Sequence, residues 1–579
     1  MEETPTAEGA AGAALYQPLT CASSPATLVD SGAASSPLLR ETAAPNEDEP
    51  SAKRVCAAAV PRSFSASSLP PALSIRVRQL KPRTGPTDAC GFVLYWCRTA
   101  LRAHDNPALC VAARAAAALA LPVLVLLTFE GGSRCFDTAR RASFYLEGLV
   151  SAAAALRARG FAVAVKVQTK ADKAPVVLTL SHRAALVVVD EPFGLEPWLS
   201  LANRLASCGC SAPVLAVDAA CVAPAGGVPL SAARGATPFA KATQNARDSV
   251  LRGPPYADAP YDPASLPPVP AVPFSDTPLD DIPSLVTACD VDHSVGPLAH
   301  TPGGCAAASA RWARWKAAGG LRRYKADRCN PARPAGASRM VRAHERLPAR
   351  AVVAPPSLTG HMPHSPRTST LAWRRRSSWR GRRTRRAPKR RGGEAGHMFC
   401  DAPYIFSPAL TQFVYELCIW RELAYAHCFH HGAAAASLAS LPAWARAAAA
   451  APRPGGGSGV IAADRLEACS SGSRLWDACQ RSLRDGGELH NNLRMTWAKA
   501  IVAWSPTGAA AHATLFRLND RYALDGGAPP SVGGLMWALG LFSWSGPLKT
   551  RPLGHQEAKH DAGALDARTR ALAAARVAV

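Results

Sequence analysis

Between residues 89 and 240 short apolar runs alternate with longer segments of helical period. The runs are Gly91–Cys97, Pro122–Phe129, Phe161–Val167, Ala184–Asp190 and Pro213–Val217. Each is nearly continuous in Val, Leu, Ala and aromatic residues, as in a strand buried on both faces. Helical patterns such as Pro107–Leu119 and Ser143–Arg159 lie between them. Strand and helix in alternation predict a parallel sheet covered by helices, an α/β domain of Rossmann-like type. Such sheets bind ligands beyond the carboxyl ends of their strands. No GxGxxG or Walker sequence follows any run, so an ordinary nucleotide fingerprint is absent.

The flanking regions read differently. Residues 1–88 are rich in Ala, Ser and Pro without sustained period, which predicts a disordered or targeting extension. Residues 241–300 are Pro-rich and read as a linker crossing the surface between domains. A helical pattern returns at Ala306–Tyr324 and dominates from Tyr404 to about Trp544. Residues 301–546 are therefore predicted to form an all-α domain, with a loop at Ala449–Gly459 and a tail over 547–579. Residues 341–400 break the pattern, having neither helix nor strand period. So long a structureless stretch inside a domain is itself anomalous.

Charge adds a partner class. The chain has 66 basic and 42 acidic residues, a net charge of +24. That balance favours polyanions, nucleic acid first. It is uneven, since Arg374–Arg391 alone holds 11 basic residues and no acidic one. The 17 cysteines form no CxxC pair and no Cys/His ladder, which suits a reduced intracellular protein rather than a zinc or disulfide framework. The longest apolar run, Ala115–Phe129, is too short to span a bilayer and contains Pro122. The acidic N-terminus lacks a secretory core. Residues from about 51 to 82 have transit-like composition, so the compartment stays open between nucleus and plastid.

Three segments carry candidate chemistry. In Glu488–Trp504, His490, Arg494, Trp497, Ile501 and Trp504 recur at spacings of four, three, four and three, on one helical face. An Arg among aromatics needs an acceptor or an anion if buried. Trp497 and Trp504, with Trp476 upstream, read either as core packing or as a relay of redox-active rings. In Leu515–Trp537, the residues Asn519, Asp520 and Asp525 are expected in a polar loop between helices. There a carboxylate could pair with Arg494 and an amide could face a heteroaromatic ligand; the plain alternative is an Asx-turn and a helix cap. In Tyr415–Tyr425, Glu416 and Trp420 are four apart and share a helix face. A stacking surface beside an acceptor suits a flipped-out base, and a half-buried Trp beside an exposed Glu is the alternative.

Together these segments resemble the cryptochrome/photolyase family, most closely its class II cyclobutane-pyrimidine-dimer photolyases. The N-terminal resemblance lies in FVLYWCRTALRAHDNPAL (Phe92–Leu109), SFYLEGL (Ser143–Leu149), VVVDEPF (Val187–Phe193) and VLAVDAACVAP (Val214–Pro224). The C-terminal resemblance lies in WRELAYAHCF (Trp420–Phe429), LWDACQ (Leu475–Gln480), LRMTWAKAIVAW (Leu493–Trp504) and LNDRYALDG (Leu518–Gly526). It covers roughly residues 89–340 and 404–546. The resemblance implies an α/β antenna domain followed by a helical domain that holds FAD. It implies light-driven repair of ultraviolet-damaged DNA by a monomer, with a signalling photoreceptor as the rival. Trp497 would be the tryptophan nearest the flavin, Trp476 the middle of the relay and Trp504 its solvent end. Asn519 would face flavin N5, and Arg494 and Asp525 would form the ion pair beside the ring. Tyr324 and Ser338 would reach the flavin phosphates and ribose. Glu416, Trp420, Met495 and Trp537 would line the dimer pocket. An antenna chromophore would sit in the α/β domain, its identity unnamed by the sequence.

The chain departs from the family after GASRM (Gly336–Met340). The helix that should complete the phosphate site is not recognisable there. The Arg-rich stretch that follows resembles a frameshifted or intron-derived translation; a basic insertion for nuclear import or DNA binding is the other reading. The missing helix predicts weak flavin retention.

Overall fold

The structure, a computed structural model, describes residues 64–84, 90–131, 137–194, 198–209, 211–252, 259–327, 408–451, 459–543 and 553–574. Six strands form one sheet: β1 (Val77–Lys81), β2 (Phe92–Cys97), β3 (Val123–Phe129), β4 (Ala162–Val167), β5 (Ala184–Asp190) and β6 (Val214–Val217). Their order is β1-β6-β5-β2-β3-β4. β2 through β6 pair in parallel, and β1 runs antiparallel to β6.

Successive side chains of β2 enter different cores. Val93, Tyr95 and Cys97 pack with the Pro107–Leu119 and Ala139–Ala158 helices, whereas Phe92, Leu94 and Trp96 pack with the Val176–Ser181 and Trp198–Ser207 helices. This two-sided burial is why the strands read as unbroken apolar runs. Asn106 starts the first helix, its side-chain oxygen accepting from the Ala108 and Leu109 N–H groups at 3.1 Å.

β1 corrects the expectation for residues 1–88, since the sheet starts inside that span. Residues 1–63 and 85–88 of the span lie outside the described residues. Residues 241–300 hold two helices, Gln244–Arg252 and Ile282–Ala288. From residue 259 the chain lies against the sheet. Tyr261 stacks on Phe161, centroids 4.2 Å apart. Thr277 N–H donates to Val165 at 2.9 Å, which covers the β4 edge.

The C-terminal half is helical: Cys305–Ala317, Gly320–Asp327, Pro408–Tyr415, Arg421–His431, Arg474–Gly486, Asn491–Trp504, Gly508–Tyr522 and Pro529–Ala538 are its main elements. The Asn491–Trp504 helix lies at the centre, packed by the Arg474–Gly486, Gly508–Tyr522 and Pro529–Ala538 helices. The span 547–579 was read as a tail. It holds the helices Leu553–Glu557 and Ala562–Ala574, the second seated on Arg474–Gly486 by a bidentate Arg481–Asp566 pair at 2.8 Å. The segment 341–400 and Ser338 lie outside the described residues.

The two halves share one core, in which Phe193 and Cys221 pack with residues such as Tyr425 and Leu423. Phe193 meets the Tyr425 ring edge-on at 4.8 Å. Gly194, at φ +71°, lies so close to Gly432 that a Cβ would reach its carbonyl oxygen. Only glycine fits that turn. Buried Arg140 donates to the Tyr522 and Arg484 carbonyls at 2.7 Å. The buried carboxylate of Glu422 accepts from Val222 N–H at 2.7 Å and Ala223 N–H at 3.0 Å.

Candidate functional site: a tryptophan stack, a buried ion pair and a cleft between halves

The Asn491–Trp504 helix presents its tryptophans to the Arg474–Gly486 helix. Trp476 and Trp497 lie nearly parallel, 8° apart, with centroids at 6.3 Å. Trp504 meets Trp476 at 5.5 Å and 69°. Trp476 and Trp497 are fully buried and Trp504 is half-buried. The sequence alone left core packing and relay open. The geometry gives a continuous path of three rings from the interior toward solvent, in the order Trp497, Trp476, Trp504.

Arg494 lies one turn before Trp497. Its Nη1 and Nη2 donate to the two Asp525 oxygens, each at 2.9 Å. The side chains are only 7% and 9% exposed. A bidentate geometry in so dry a place is a strong, oriented pair. Arg494 Nε has no partner among the described residues.

Asn519 and Asp520 were expected in a loop. The structure places both in the last turn of the Gly508–Tyr522 helix, and only Asp525 in the loop beyond. The apolar period of Leu515, Leu518 and Tyr522 carries the helix through the polar pair. Asn519 is fully buried. Its Nδ2 donates to Asp520 Oδ1 at 2.9 Å and to Ser531 Oγ at 2.8 Å. Asp520 also accepts from Gly527 N–H at 3.0 Å. The amide is thereby fixed by its nitrogen end, and Oδ1 has no partner among the described residues. A buried unsatisfied acceptor marks a place for a donor.

The dimer-pocket candidates fall on three elements. Met495 lies beside Gly534, and the Lys499 ammonium sits over the Trp537 ring at 4.6 Å. Glu416 and Trp420 begin and end a π-helical turn, Glu416–Trp420, leading into the Arg421–His431 helix. That helix packs on Pro529–Ala538, which carries Trp537. Single π-turns often occur at functional sites. Glu416 accepts from Gln412 at 2.9 Å, and Trp420 is half-buried. Tyr324 is buried, edge-on to Phe413 at 5.0 Å.

A cavity of about 440 Å³ opens between the halves. Arg98, Thr99 and Ala100 line it after β2, Phe193 and Trp198 after β5, and Ala219 after β6; Asp525 and Pro529 face them from the helical side. This is the crevice where the strand order reverses, the expected ligand position in such sheets. Asp190, at the end of β5, holds the loop after β2. Its Oδ2 accepts from the Arg98, Thr99 and Ala100 N–H groups at 2.9, 2.7 and 3.0 Å. The buried Arg98 guanidinium is sandwiched by Trp96 and Trp198, 4.9 and 4.8 Å from the ring centroids. It is anchored to Thr128 and Glu130 through Nη1. Nε and Nη2 have no partner among the described residues.

The family model for DNA photolyase matches residues 93–260. A deoxyribodipyrimidine photo-lyase of Methanothermobacter thermautotrophicus is 32% identical over 133 residues, 22% of this chain and 29% of that protein. Proteins of the same name from Oryza sativa subsp. japonica and Potorous tridactylus are 30% and 31% identical, over 23% of this chain and 26% and 25% of theirs. Over this region the chain is similar to the photolyase/cryptochrome family. Its matched sequence spans less than a third of those relatives' length. The fold likeness reaches further. A bacterial class III photolyase from Agrobacterium tumefaciens superposes with a TM-score of 0.54 at 19% identity, covering 83% of this chain and 86% of that one. A cryptochrome of Synechocystis sp. PCC6803 gives 0.53 at 15% identity, over 84% and 89%. Both family branches thus share the α/β sheet followed by helices.

Several site residues escaped the sequence reading. Ser531 holds the Asn519 amide, Gln480 accepts from the Trp497 indole at 2.9 Å, and Asp190 shapes the cavity floor. A polar residue at the end of an apolar strand was the available signal for Asp190. Nothing local marks the other two, because their partners lie 12 and 17 residues away on different helices. Among the described residues no helix is long and apolar enough to cross a membrane.

Proposed function

We propose that this chain is a class II-type photolyase that repairs cyclobutane pyrimidine dimers in DNA, using FAD held beside Arg494, Asn519 and Asp525. The observation that carries the reading is the Asn519 amide. Its free acceptor end suits the N–H that a flavin carries at N5 only when reduced, and the reduced form is the one needed to donate an electron. Bound FAD would supply a light-excited one-electron donor that splits the dimer's cyclobutane ring and takes the electron back. The chain supplies position and charge. Arg494 offers positive charge to an anionic ring, and Asp525 keeps the guanidinium oriented. Ser531 and Asp520 keep the Asn519 acceptor turned inward. The tryptophan stack brings electrons from the surface to restore the reduced state.

Trp420 offers a stacking face and Glu416 an acceptor to an extruded dimer, and a poorly stacked lesion costs less to extrude than an intact pair. Exposed Arg314, Lys316, Arg322 and Arg323 suit phosphate contacts, with salt-dependent affinity. The cavity in the sheet crevice suits an antenna chromophore with an anionic or carbonyl edge against Arg98. Tyr324 is the described candidate for the phosphate end of FAD, with Ser338 its partner in sequence.

The test uses the purified chain, its flavin content measured first. The flavin-loaded protein should remove dimers from irradiated DNA in light and not in the dark. Replacing Trp497 with Phe should stop photoreduction of oxidised flavin while sparing repair by protein already reduced. Normal photoreduction in that variant defeats the relay. A loaded protein that photoreduces but leaves dimers intact is a photoreceptor instead.

A further inference from the structure

Gln480 sits between the chemistry of the stack and the rest of the core. It is fully buried on the Arg474–Gly486 helix, and its Oε1 accepts from Trp497 Nε1–H at 2.9 Å. An indole N–H can only donate, so the oxygen end of the amide must face it. The nitrogen end, Nε2, has no partner among the described residues. A neutral amide is therefore kept against the innermost ring although half its hydrogen-bonding capacity goes unused, which costs free energy. Trp476 also donates to a neutral acceptor, the Trp497 carbonyl, at 3.1 Å.

Several charged groups on the packing elements are engaged elsewhere. Arg494 is paired with Asp525, and Arg481 with Asp566. Arg484 is paired with Asp485, and Asp477 accepts from Ser471 N–H. Lys499 lies over Trp537, and His490 caps its own helix through Asn492 N–H. On the Gly508–Tyr522 helix, Asp520 accepts from Asn519 and Gly527, while Arg517 and Arg521 pair with Glu467.

We propose that Gln480 is a positioning residue that keeps the proton on Trp497 while that ring is oxidised. The proposal rests on the relay assigned above. When one electron leaves Trp497 for a light-excited oxidised flavin, the indole becomes a cation radical with a far more acidic N–H. A carboxylate or imidazole at this place would take that proton and trap the hole as a neutral radical. The amide oxygen stabilises the charged N–H by a hydrogen bond but is too weak a base to remove the proton. The hole then passes on as Trp476 gives one electron to Trp497, and Trp504 gives one to Trp476. At half-exposed Trp504 the N–H proton can go to water, which makes the separation long-lived. One electron has moved inward and one proton has left at the surface.

Gln480→Glu tests this with almost no change of shape. In the flavin-loaded full chain, transient absorption after a flash distinguishes the indole cation radical from its neutral form. Wild type should show the cation passing outward, with a yield independent of pH. With the glutamate ionised, the neutral radical should form early, and the yield of the surface radical should fall about tenfold, the scale of one charge-assisted hydrogen bond. Lowering the pH until the carboxyl is protonated should restore wild-type behaviour. A purely structural role for Gln480 would not be rescued by protonation. Ultraviolet resonance Raman of the indole, read without actinic light, should report a weakened Trp497 hydrogen bond in Gln480→Leu. The same cation yield in Gln480→Glu at every pH overturns the proposal while leaving the relay intact. If Trp497→Phe also photoreduces normally, the relay itself has failed.

Discussion

Glu422 makes stability depend on pH in a way that can be isolated. Its carboxylate joins the helical half to the loop after β6 through the Val222 and Ala223 N–H groups. Burial pushes this carboxyl from its ordinary 4.5 up to about 7, against the pull of Arg421 and the two N–H groups. A folded value above the unfolded one means that the native chain holds a proton the unfolded chain has lost. The stability from that proton is full below about 4.5 and lost as pH rises through about 7. The whole shift corresponds to about 3 kcal/mol, most of which falls between about pH 5 and about pH 8. Wild type alone will not display it. Burial holds His427 down at about 4 from 6.5, so its contribution grows with pH up to its unfolded value and opposes Glu422 over much of the same range.

The difference between wild type and Glu422→Gln removes that cancellation. The glutamine turns one N–H against another, a cost that does not vary with pH. Urea-unfolding stabilities of both proteins, measured from about pH 5 to about pH 8, should give a difference that shrinks steadily by about 2–3 kcal/mol. Parallel curves would refute the reasoning and mean that Glu422 is ionised throughout. Ala219 and Ala220 of the same loop line the cavity between the halves, so ligand retention there should weaken over the same pH range.

Two further outcomes follow from the site. Trp420→Ala removes a stacking face worth on the order of 1–3 kcal/mol, so binding to dimer-containing DNA should weaken more than binding to undamaged DNA; equal loss in a competition assay assigns Trp420 to the core alone. Asp525→Ala strands the buried Arg494 guanidinium and should destabilise the protein by about 3–5 kcal/mol, whereas replacing both residues by apolar ones should restore much of that stability. Thermal unfolding of the single and double variants checks this, and a single variant as stable as wild type would mean that the pair is open to water.

The five parallel strands were legible because burial leaves few polar residues to blur the runs. β1 was not, because an edge strand such as VRQLK carries charge where the sheet ends. The relay spacing was visible as a helical stripe, but whether the rings touch depended on the packing of a second helix. Asn519 and Asp520 were misplaced because short polar residues favour loops locally, and the apolar residues around them settled the helix. The π-turn at Glu416–Trp420 left no trace, since its residue types suit an α-helix equally well. Glu422 and Gln480 were silent because each is a polar residue in an apolar setting whose partner is distant in sequence: about 200 residues away for Glu422 and 17 for Gln480.

The joint between the halves shows why fold likeness outruns sequence likeness here. Arg140 donates to the Tyr522 and Arg484 carbonyls, and Arg421 to that of Ala220. Glu422 accepts from Val222 and Ala223. Each contact has a specific side chain at one end and backbone at the other. Backbone groups are present whatever residue occupies the position, so the receiving loops and helix ends can change sequence without losing the contact. What must persist is the handful of charged side chains and the close approach at Gly194. A geometry fixed in this way can hold over 83% of the chain at 19% identity, while the family model matches residues 93–260. It also places the cavity, whose walls come from both halves, under the control of buried charges rather than of the residues that line it.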